Sequence, residues 1–514
     1  MISKVCSSGV VGIDGLVVTV ECSAWDRIPK FDLVGLADTA VKEAKNRVYS
    51  ACENSGFTFP SLDIMINLAP ADVKKEGSAF DLAIITAILQ CQRIVPTEAD
   101  LSDACIIGEL SLSGEVRPVN GVLSMVIAAR DAGLCRVFVP MANREEASMV
   151  KGVTVYGVPT LRRLVDHLQG TNLLEPTPCG ISGLDLSSRV GSPDFSEVRG
   201  QVRAKRALEI AAAGGHNVLL IGPPGAGKSM LAKRLPSILP DMDFEEALQT
   251  TKVHSVSGNL SRGFITERPF RSPHHTVSPA GMIGGGVKPR PGEISLANNG
   301  VLFLDELPEF PKNVTESLRQ PLEDGAVTVT RAAGKVTYPS RFMLVCAMNP
   351  CKCGFFGSPD RQCTCPPGAV SKYLERVSGP LLDRIDLEIE LPAVSYEDIS
   401  GSTPKGESSA SIRERVNRAR AFTNKRLAEQ GDPTGILNAH MSRDIMTRHC
   451  VLDPEASALM KNAFEALGFS ARGYDRVLKV ARTVADLAGS PSITEDHIAE
   501  AISFRSLDRK YWKR

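Results

Sequence analysis

Apolar positions along the chain fall into three successive patterns. Over residues 1–170, short runs such as "GLVVTVE", "LDIMINLA" and "RVFVP" predict strands, and longer apolar stretches such as "FDLAIITAILQ" and "VLSMVIAARDAG" predict helices. That mixture predicts an α+β domain. Over residues 196–394 the apolar runs in "NVLLIG", "VLFLDE" and "FMLVCAMNP" each end in glycine or polar residues. Buried strands of this kind predict an open α/β sheet with its site at the strand C-termini. Over residues 412–514 only helical spacing remains, with starts such as "SITEDH", where Thr494 can cap and Glu495 and Asp496 suit a first turn. This part reads as an all-helical bundle.

Two polar stretches bearing Pro, Gly and Ser separate the patterns, "GTNLLEPTPCGISGLDLSSRVGSPDF" and "SYEDISGSTPKGESSAS". Residues 171–195 and 395–411 are therefore expected to be linkers. A length of 514 residues suits two or three domains. Lys and Arg total 59 and so do Asp and Glu, so no bulk field draws the molecule to nucleic acid, and any polyanion site must be a local patch. No apolar run approaches a membrane span, and the N-terminus lacks the features of a secretory leader. Most of the 13 cysteines are scattered singly among apolar residues, as reduced thiols would be. The chain is expected to be cytoplasmic, with no membrane partner.

The stretch "LLIGPPGAGKSMLAKRL" carries the chemistry. Gly222, Pro223, Pro224, Gly225, Ala226, Gly227, Lys228 and Ser229 fit G-x-x-x-x-G-K-[ST], with a strand before and a helix after. Backbone N–H groups of such a turn surround phosphate oxygens. Lys228 would reach the β- and γ-phosphates of ATP and Ser229 would ligate Mg²⁺. In "GVLFLDELPEF", Asp305 ends an apolar strand and can hold the Mg²⁺ shell, and Glu306 is placed to polarise an attacking water. Asn349, ending "FMLVCAMN", is placed to orient that water.

A phosphate loop, an acidic strand end, a polar strand end and a helical lid together resemble an AAA+ ATPase. The wording of "RPFRSPHHTVSPAGMIGGG", "PGEISLANNGVLFLDELPEF", "LRQPLEDG", "CAMNPCKCG" and "SGPLLDRIDLEIELP" is similar to the YifB/ComM family of magnesium-chelatase-related AAA+ ATPases. The resemblance extends over nearly the whole chain. It implies a ring, usually a hexamer, with ATP between subunits. Arg384 matches the arginine finger given in trans, and fixed guanidinium forks suit phosphoryl charge. Arg472 matches the lid's sensor arginine, with Arg476 close enough to compete for the role. Gln201 resembles the segment lining the adenine pocket.

The N-terminal block, by "INLAPADVKKEGSAFDLAIITAIL" and "IGELSLSGEVRPVNGVLSMVIAARDAG", resembles the Lon protease fold and the ChlI-type domain. That fold's peptidase needs a serine two residues after a glycine and a lysine on a following helix. Ala79 stands two after Gly77, with Ser78 one step early, and Leu123 stands at the lysine position. The block is expected to be a non-proteolytic scaffold, and Lys74 and Lys75 to be a solvated loop pair.

Cys351, Cys353, Cys363 and Cys365 form C-x-C-x₉-C-x-C, a thiolate set suited to a structural Zn²⁺; reduced loop thiols and a redox disulfide are the alternatives. Two segments offer basic protrusions. The long stretch Ser255–Gly292, expected to be a loop without structure of its own, carries Arg262, Arg268, Arg271, Lys288 and Arg290. The stretch "AVTVTRAAGKVTYPSR" reads as a hairpin presenting Arg331 and Lys335, and resembles the pore hairpin of replicative helicases of the minichromosome-maintenance type. Repeated around a ring, such protrusions would line a channel for single-stranded or branched DNA. The His274-His275 pair is expected to pack rather than bind metal.

The reading that follows is an ATP-driven DNA translocase or helicase. The family resemblance implies branch migration in homologous recombination during natural transformation, alongside recombination proteins. A protein unfoldase gripping polypeptide through Gly263-Phe264-Ile265 is the first alternative, and a metal-chelatase-like motor subunit the second.

Overall fold

The computed structural model describes residues 1–514 except 97–98, 181–192, 261–262, 287–288, 332–333, 360, 395, 397–405, 506 and 513–514. Much of both expected linkers, and the sites Arg262 and Lys288, lie outside the described residues. The chain forms two compact units: Met1–Asp185 with Phe244–Thr266, and Leu186–Asp243 with Glu267–Arg514.

The first unit is built on an eight-stranded mixed sheet. The long strands Ile2–Val11 and Asp14–Trp25 form its antiparallel centre, Asp63–Ala69 pairs antiparallel beside them, and Ala104–Ile106, Arg136–Pro140 and Thr154–Val158 continue it in parallel. All three expected strands are present, and the two apolar stretches are the helices Asp81–Cys91 and Val122–Asp131. Ten of the eleven residues of Asp81–Cys91 are buried, which explains why its apolar pattern runs all round the helix.

At the positions of the Lon-type dyad, Ala79 and Leu123 are buried, and the Ser78 hydroxyl donates to Glu109. The backbone N–H of Leu123 donates to Glu146 at 2.9 Å. Lys74 pairs with Glu76 at 2.7 Å on the surface. Lys75 is not solvated as expected: it is 2% exposed, because its backbone is pinned to Leu36 and Asp38, which turns its side chain inward.

The excursion Phe244–Thr266 differs from the sequence reading, which kept it with the ATPase core and its pore segment. Helix Phe244–Ser257 packs in the first unit, where Lys252 pairs with Asp14 at 2.7 Å and Ser255 donates to Glu146. Phe264 is 7% exposed and stacks on Phe244 with ring centres 5.9 Å apart. Burying the Phe264 ring against Phe244 costs the segment its freedom as a loop.

The second unit carries a five-stranded parallel sheet in the order Phe270–Arg271, Val301–Leu304, Met343–Met348, Val218–Ile221, Leu387–Glu390. The three middle strands are buried at every position, as expected of runs covered on both faces. Ile221 lies opposite Met348 and Leu304 opposite Cys346, so the chain leaves all three strands at one edge. The phosphate loop, Asp305 and Asn349 meet there.

The helices Ser409–Glu429, Arg443–His449, Pro454–Leu467, Ala471–Leu487 and Glu495–Ser503 follow, with Ser408, Ser442, Asp453, Ser470 and Thr494 as N-caps. His497 completes the last cap by accepting from the Thr494 N–H at 3.0 Å. Inside this bundle Asp486 gathers a buried polar knot. It accepts from Arg482 at 2.9 Å, Arg426 at 3.1 Å, Thr423 at 2.8 Å and Asn438 at 2.8 Å. Arg482 is fully buried, so its charge depends on that carboxylate. Asp486→Ala should therefore destabilise the second unit by about 3–5 kcal/mol, read as a fall in the urea midpoint; a change within experimental scatter would mean that the knot is not what holds these helices.

Candidate nucleotide site

Between strand Val218–Ile221 and helix Lys228–Arg234, the loop turns through Gly225 and Gly227, whose φ values are +80° and +89°. A Cβ at either glycine would meet nothing within 4 Å, so glycine is required by the left-handed backbone, and space is left over the loop. Lys228 is 9% exposed, and its ammonium donates to Gly222 O at 2.8 Å, Pro223 O at 2.9 Å and Asn349 Oδ1 at 3.0 Å. Burial pulls its pKa below the ordinary lysine value, with the Asp305 charge working against that shift.

Ser229 Oγ donates to Asp305 Oδ2 at 2.5 Å. A hydroxyl and a carboxylate brought together at the foot of a phosphate loop form a donor set suited to a Mg²⁺ shell. Glu306 is exposed, has φ of +54°, and donates its N–H to Asp305 Oδ1 at 3.0 Å. His275 Nδ1 lies 3.6 Å from Glu306 Oε2, and its ring meets Phe310 edge-on. His274 stays local, with Nδ1 2.9 Å from Thr276 Oγ1. Lys228, Ser229, Asp305 and Asn349 thus form one bonded cluster, with Glu306 attached to it through Asp305.

Gln201, with φ of +50°, donates to Ala226 O at 3.3 Å and Pro392 O at 3.1 Å, beside the phosphate loop. Arg384 lies apart from the cluster. Its guanidinium bonds go to Arg319 O at 3.1 Å, Pro380 O at 2.7 Å and the Glu323 carboxylate. Arg472 is exposed, 3.9 Å from Asp383, whereas Arg476 is largely buried and 3.8 Å from Asp386.

Sequence reasoning missed the residues that lock the base of the sheet. The Asn217 side chain donates to Arg384 O at 2.8 Å and accepts from Leu344 N at 2.9 Å, and its backbone N–H donates to Asp386 at 3.0 Å. His216, fully buried, joins Asp386 at 3.4 Å and Thr483 at 2.7 Å, tying the strand to a lid helix. A His-Asn pair ahead of an apolar run was the available signal, but its partners are over a hundred residues away.

Ala326–Arg331 and Gly334–Pro339 form the expected hairpin. Its apolar face buries Val327, Val329 and Tyr338, and the opposite face exposes Thr328, Thr330 and Lys335. The stretch Ser255–Gly292 is not the unstructured loop expected. It holds strand Phe270–Arg271, helix Pro279–Ile283 and a short pairing of Gly284–Gly285 with Arg290–Pro291. Arg268 is spent on backbone carbonyls, including Pro240 O at 2.7 Å, and Arg271 on Glu293 at 2.7 and 2.8 Å. Both are structural because each reaches an oxygen on its own unit. Arg290 is exposed.

The four cysteine sulfurs of Cys351, Cys353, Cys363 and Cys365 lie within 4.8 Å of one another. Three of the spacings are 3.3, 3.5 and 3.7 Å. A tetrahedron of Zn–S bonds has edges of about 3.8 Å, so the set fits that ion. Backbone N–H groups of Gly354 and Phe356 face Cys351, and those of Phe355 and Thr364 face Cys353, donors that would orient the sulfurs toward a bound ion.

Three families match successive parts of the chain: "Subunit ChlI of Mg-chelatase" at residues 20–143, "Magnesium chelatase, subunit ChlI" at 194–399, and "Magnesium chelatase, subunit ChlI C-terminal" at 406–505. Together with the parallel sheet and its phosphate loop they define a magnesium-chelatase-like AAA+ protein, a class of ATPases. Among full-length relatives, a YifB protein of Escherichia coli is 42% identical over 99% of this chain and 98% of its own. The competence protein ComM of Haemophilus influenzae is 41% identical over 98% of this chain and 97% of its own. A peroxisomal Lon protease homologue of Caenorhabditis elegans is 32% identical over 27% of this chain and 18% of its own. The chain belongs to the YifB/ComM family. Among the described residues, no helix is long and apolar enough to cross a membrane.

The exposed Glu306 holds a left-handed backbone conformation that glycine would adopt without strain. Glu306→Gly should therefore melt at or above the wild-type temperature in a thermal scan, because relief of roughly 1 kcal/mol offsets the added freedom of the unfolded chain. A clear fall in Tm would show that this side chain supports the fold.

Proposed function

We propose that this protein is an ATP-hydrolysing ring motor that moves DNA through its centre. The bonded cluster of Lys228, Ser229, Asp305 and Asn349 carries the reading. Lys228 would exchange its carbonyl partners for β- and γ-phosphate oxygens, and Ser229 and Asp305 would hold Mg²⁺. Gly222–Gly227 would surround the phosphates with N–H groups, and Gln201 would border the adenine. Glu306 would polarise the attacking water and Asn349 orient it. Arg384 would act on a neighbouring subunit's nucleotide, which agrees with its lying apart from its own cluster, and Arg472 would sense it from the lid. In the homo-hexameric ring that the family resemblance implies, that division would put each nucleotide between two subunits.

The hairpin Ala326–Pro339 supports DNA as the cargo, because it sets Lys335 and two threonines on an exposed face suited to phosphates. Arg331, Arg290 and Lys288 would add charge. Burial of Phe264 removes the aromatic grip that a polypeptide unfoldase would use. The name of the Haemophilus relative, competence protein, supports a place in natural transformation, where branch migration of an incoming strand is the work this motor would do in the cytoplasm, alongside recombination proteins. The first unit would serve as a non-proteolytic scaffold, since Ala79 and Leu123 supply neither nucleophile nor base. A Zn²⁺ held by Cys351, Cys353, Cys363 and Cys365 would be structural.

Steady-state ATP turnover, measured alone, with single-stranded or forked DNA, and with an unfolded polypeptide, tests this. Forked or single-stranded DNA should stimulate turnover, and Arg331→Ala with Lys335→Ala should remove the stimulation while leaving the basal rate. Glu306→Gln should bind ATP but turn over about 10²–10⁴-fold more slowly, and Lys228→Ala should lose binding or turnover. Stimulation by polypeptide and not by DNA would overturn the motor's assignment to nucleic acid.

A further inference from the structure

The four-cysteine knuckle does not hang free beside the nucleotide site. Gly354, inside the knuckle and buried, has φ of +89°, and a Cβ placed on it would lie 2.4 Å from Pro224 Cδ and 2.8 Å from Pro224 Cγ. The backbone of the knuckle therefore rests directly on the ring of a phosphate-loop residue. Pro224 stands two residues after Gly222, between the carbonyls that hold the Lys228 ammonium and the glycines that turn the loop.

A second contact reaches the same site from the far end of the knuckle. Cys351 and Cys353 follow Asn349 directly, and Cys363 and Cys365 lead into helix Ala369–Leu374. Tyr373 of that helix is nearly buried, and its hydroxyl faces the backbone N–H of Asn349. Asn349 Oδ1 in turn accepts from Lys228 at 3.0 Å. An ion bound by four sulfurs would thus clamp together the two chain segments that flank Asn349 and hold Pro224. The outer side is braced as well: Phe356 meets Tyr511 with ring centres 6.3 Å apart, and Tyr511 donates to Glu390 at 2.8 Å at the end of the edge strand.

We infer that the metal-loaded knuckle is a wall of the nucleotide site, so that zinc occupancy and nucleotide affinity are thermodynamically coupled. This rests on the zinc and ATP assignments made above and extends them. Within the reducing cell the ion is a borderline-soft divalent cation, and four thiolates select Zn²⁺ over Mg²⁺. Without it, no bond joins the two cysteine pairs, which frees Gly354 to move off Pro224 and Tyr373 to move off Asn349. Linkage makes the effect reciprocal: nucleotide must tighten zinc binding by the factor that zinc tightens nucleotide binding.

The full-length protein is assayed for zinc released on thiol modification, and for the Kd of a fluorescent ATP analogue. Wild type should carry one zinc per chain. Chelator-stripped protein, with its helical circular dichroism retained, should bind the analogue about 5–150-fold more weakly and recover on adding Zn²⁺. Gly354→Ala should keep its zinc yet bind the analogue more weakly, because the new methyl displaces Pro224. If stripping unfolds the chain, Gly354→Ala decides alone. Absence of zinc from wild type overturns the zinc assignment itself. A chain that retains folding but shows no analogue binding even when zinc-loaded overturns the ATP assignment. Zinc present with unchanged Kd in the stripped protein, or in Gly354→Ala where stripping unfolds the chain, overturns the coupling.

Discussion

The buried ammonium of Lys228 is surrounded by oxygen, and that arrangement organises the second unit. Two of its partners are carbonyls of its own loop, but the third belongs to Asn349 on the adjacent strand. The strand order suits this arrangement: Met343–Met348 lies against Val218–Ile221, which moves the acidic strand Val301–Leu304 one place outward. Ser229 then reaches across to Asp305, so both neighbouring strands are tied to the first turn of one short helix.

The same economy of buried charge recurs away from the site. His216 and Asn217 fasten the start of the phosphate-loop strand to Asp386, Leu344 and Thr483. The Asp486 knot does for the lid what Asn349 does for the loop, giving two buried arginines a carboxylate partner. Because His216 bonds to Thr483 and Asn438 bonds to both Thr483 and Asp486, sheet and lid share one polar network. Two of the non-glycine residues at positive φ, Gln201 and Glu306, stand next to the phosphate-loop cluster.

The first unit follows a different rule. Its long antiparallel strands and the helix Asp81–Cys91, buried at ten of eleven positions, are held by apolar packing, and the buried Asp81 is paired with Arg47 at 2.6 and 2.9 Å. The segment Phe244–Thr266 joins it through Phe244, Phe264 and Ser255, although it sits in sequence between two parts of the other unit. In the second unit, the hairpin Ala326–Pro339 keeps a polar face exposed at Thr328, Thr330 and Lys335.

Sequence alone determined what depends on neighbours along the chain. The glycine turn before Lys228, the apolar strands, the capped lid helices and the C-x-C pairs are local patterns, and local backbone and burial preferences suffice to read them. Tertiary structure decided whatever depends on a partner far along the chain. Sequence could not show that Lys75 turns inward, that Arg268 and Arg271 are consumed by their own unit, or that Phe264 is covered. It could not show that Gly354 rests on Pro224 either. In each case the deciding atom lies on another element, and only the folded chain fixes which oxygen or ring comes within a few ångströms of it.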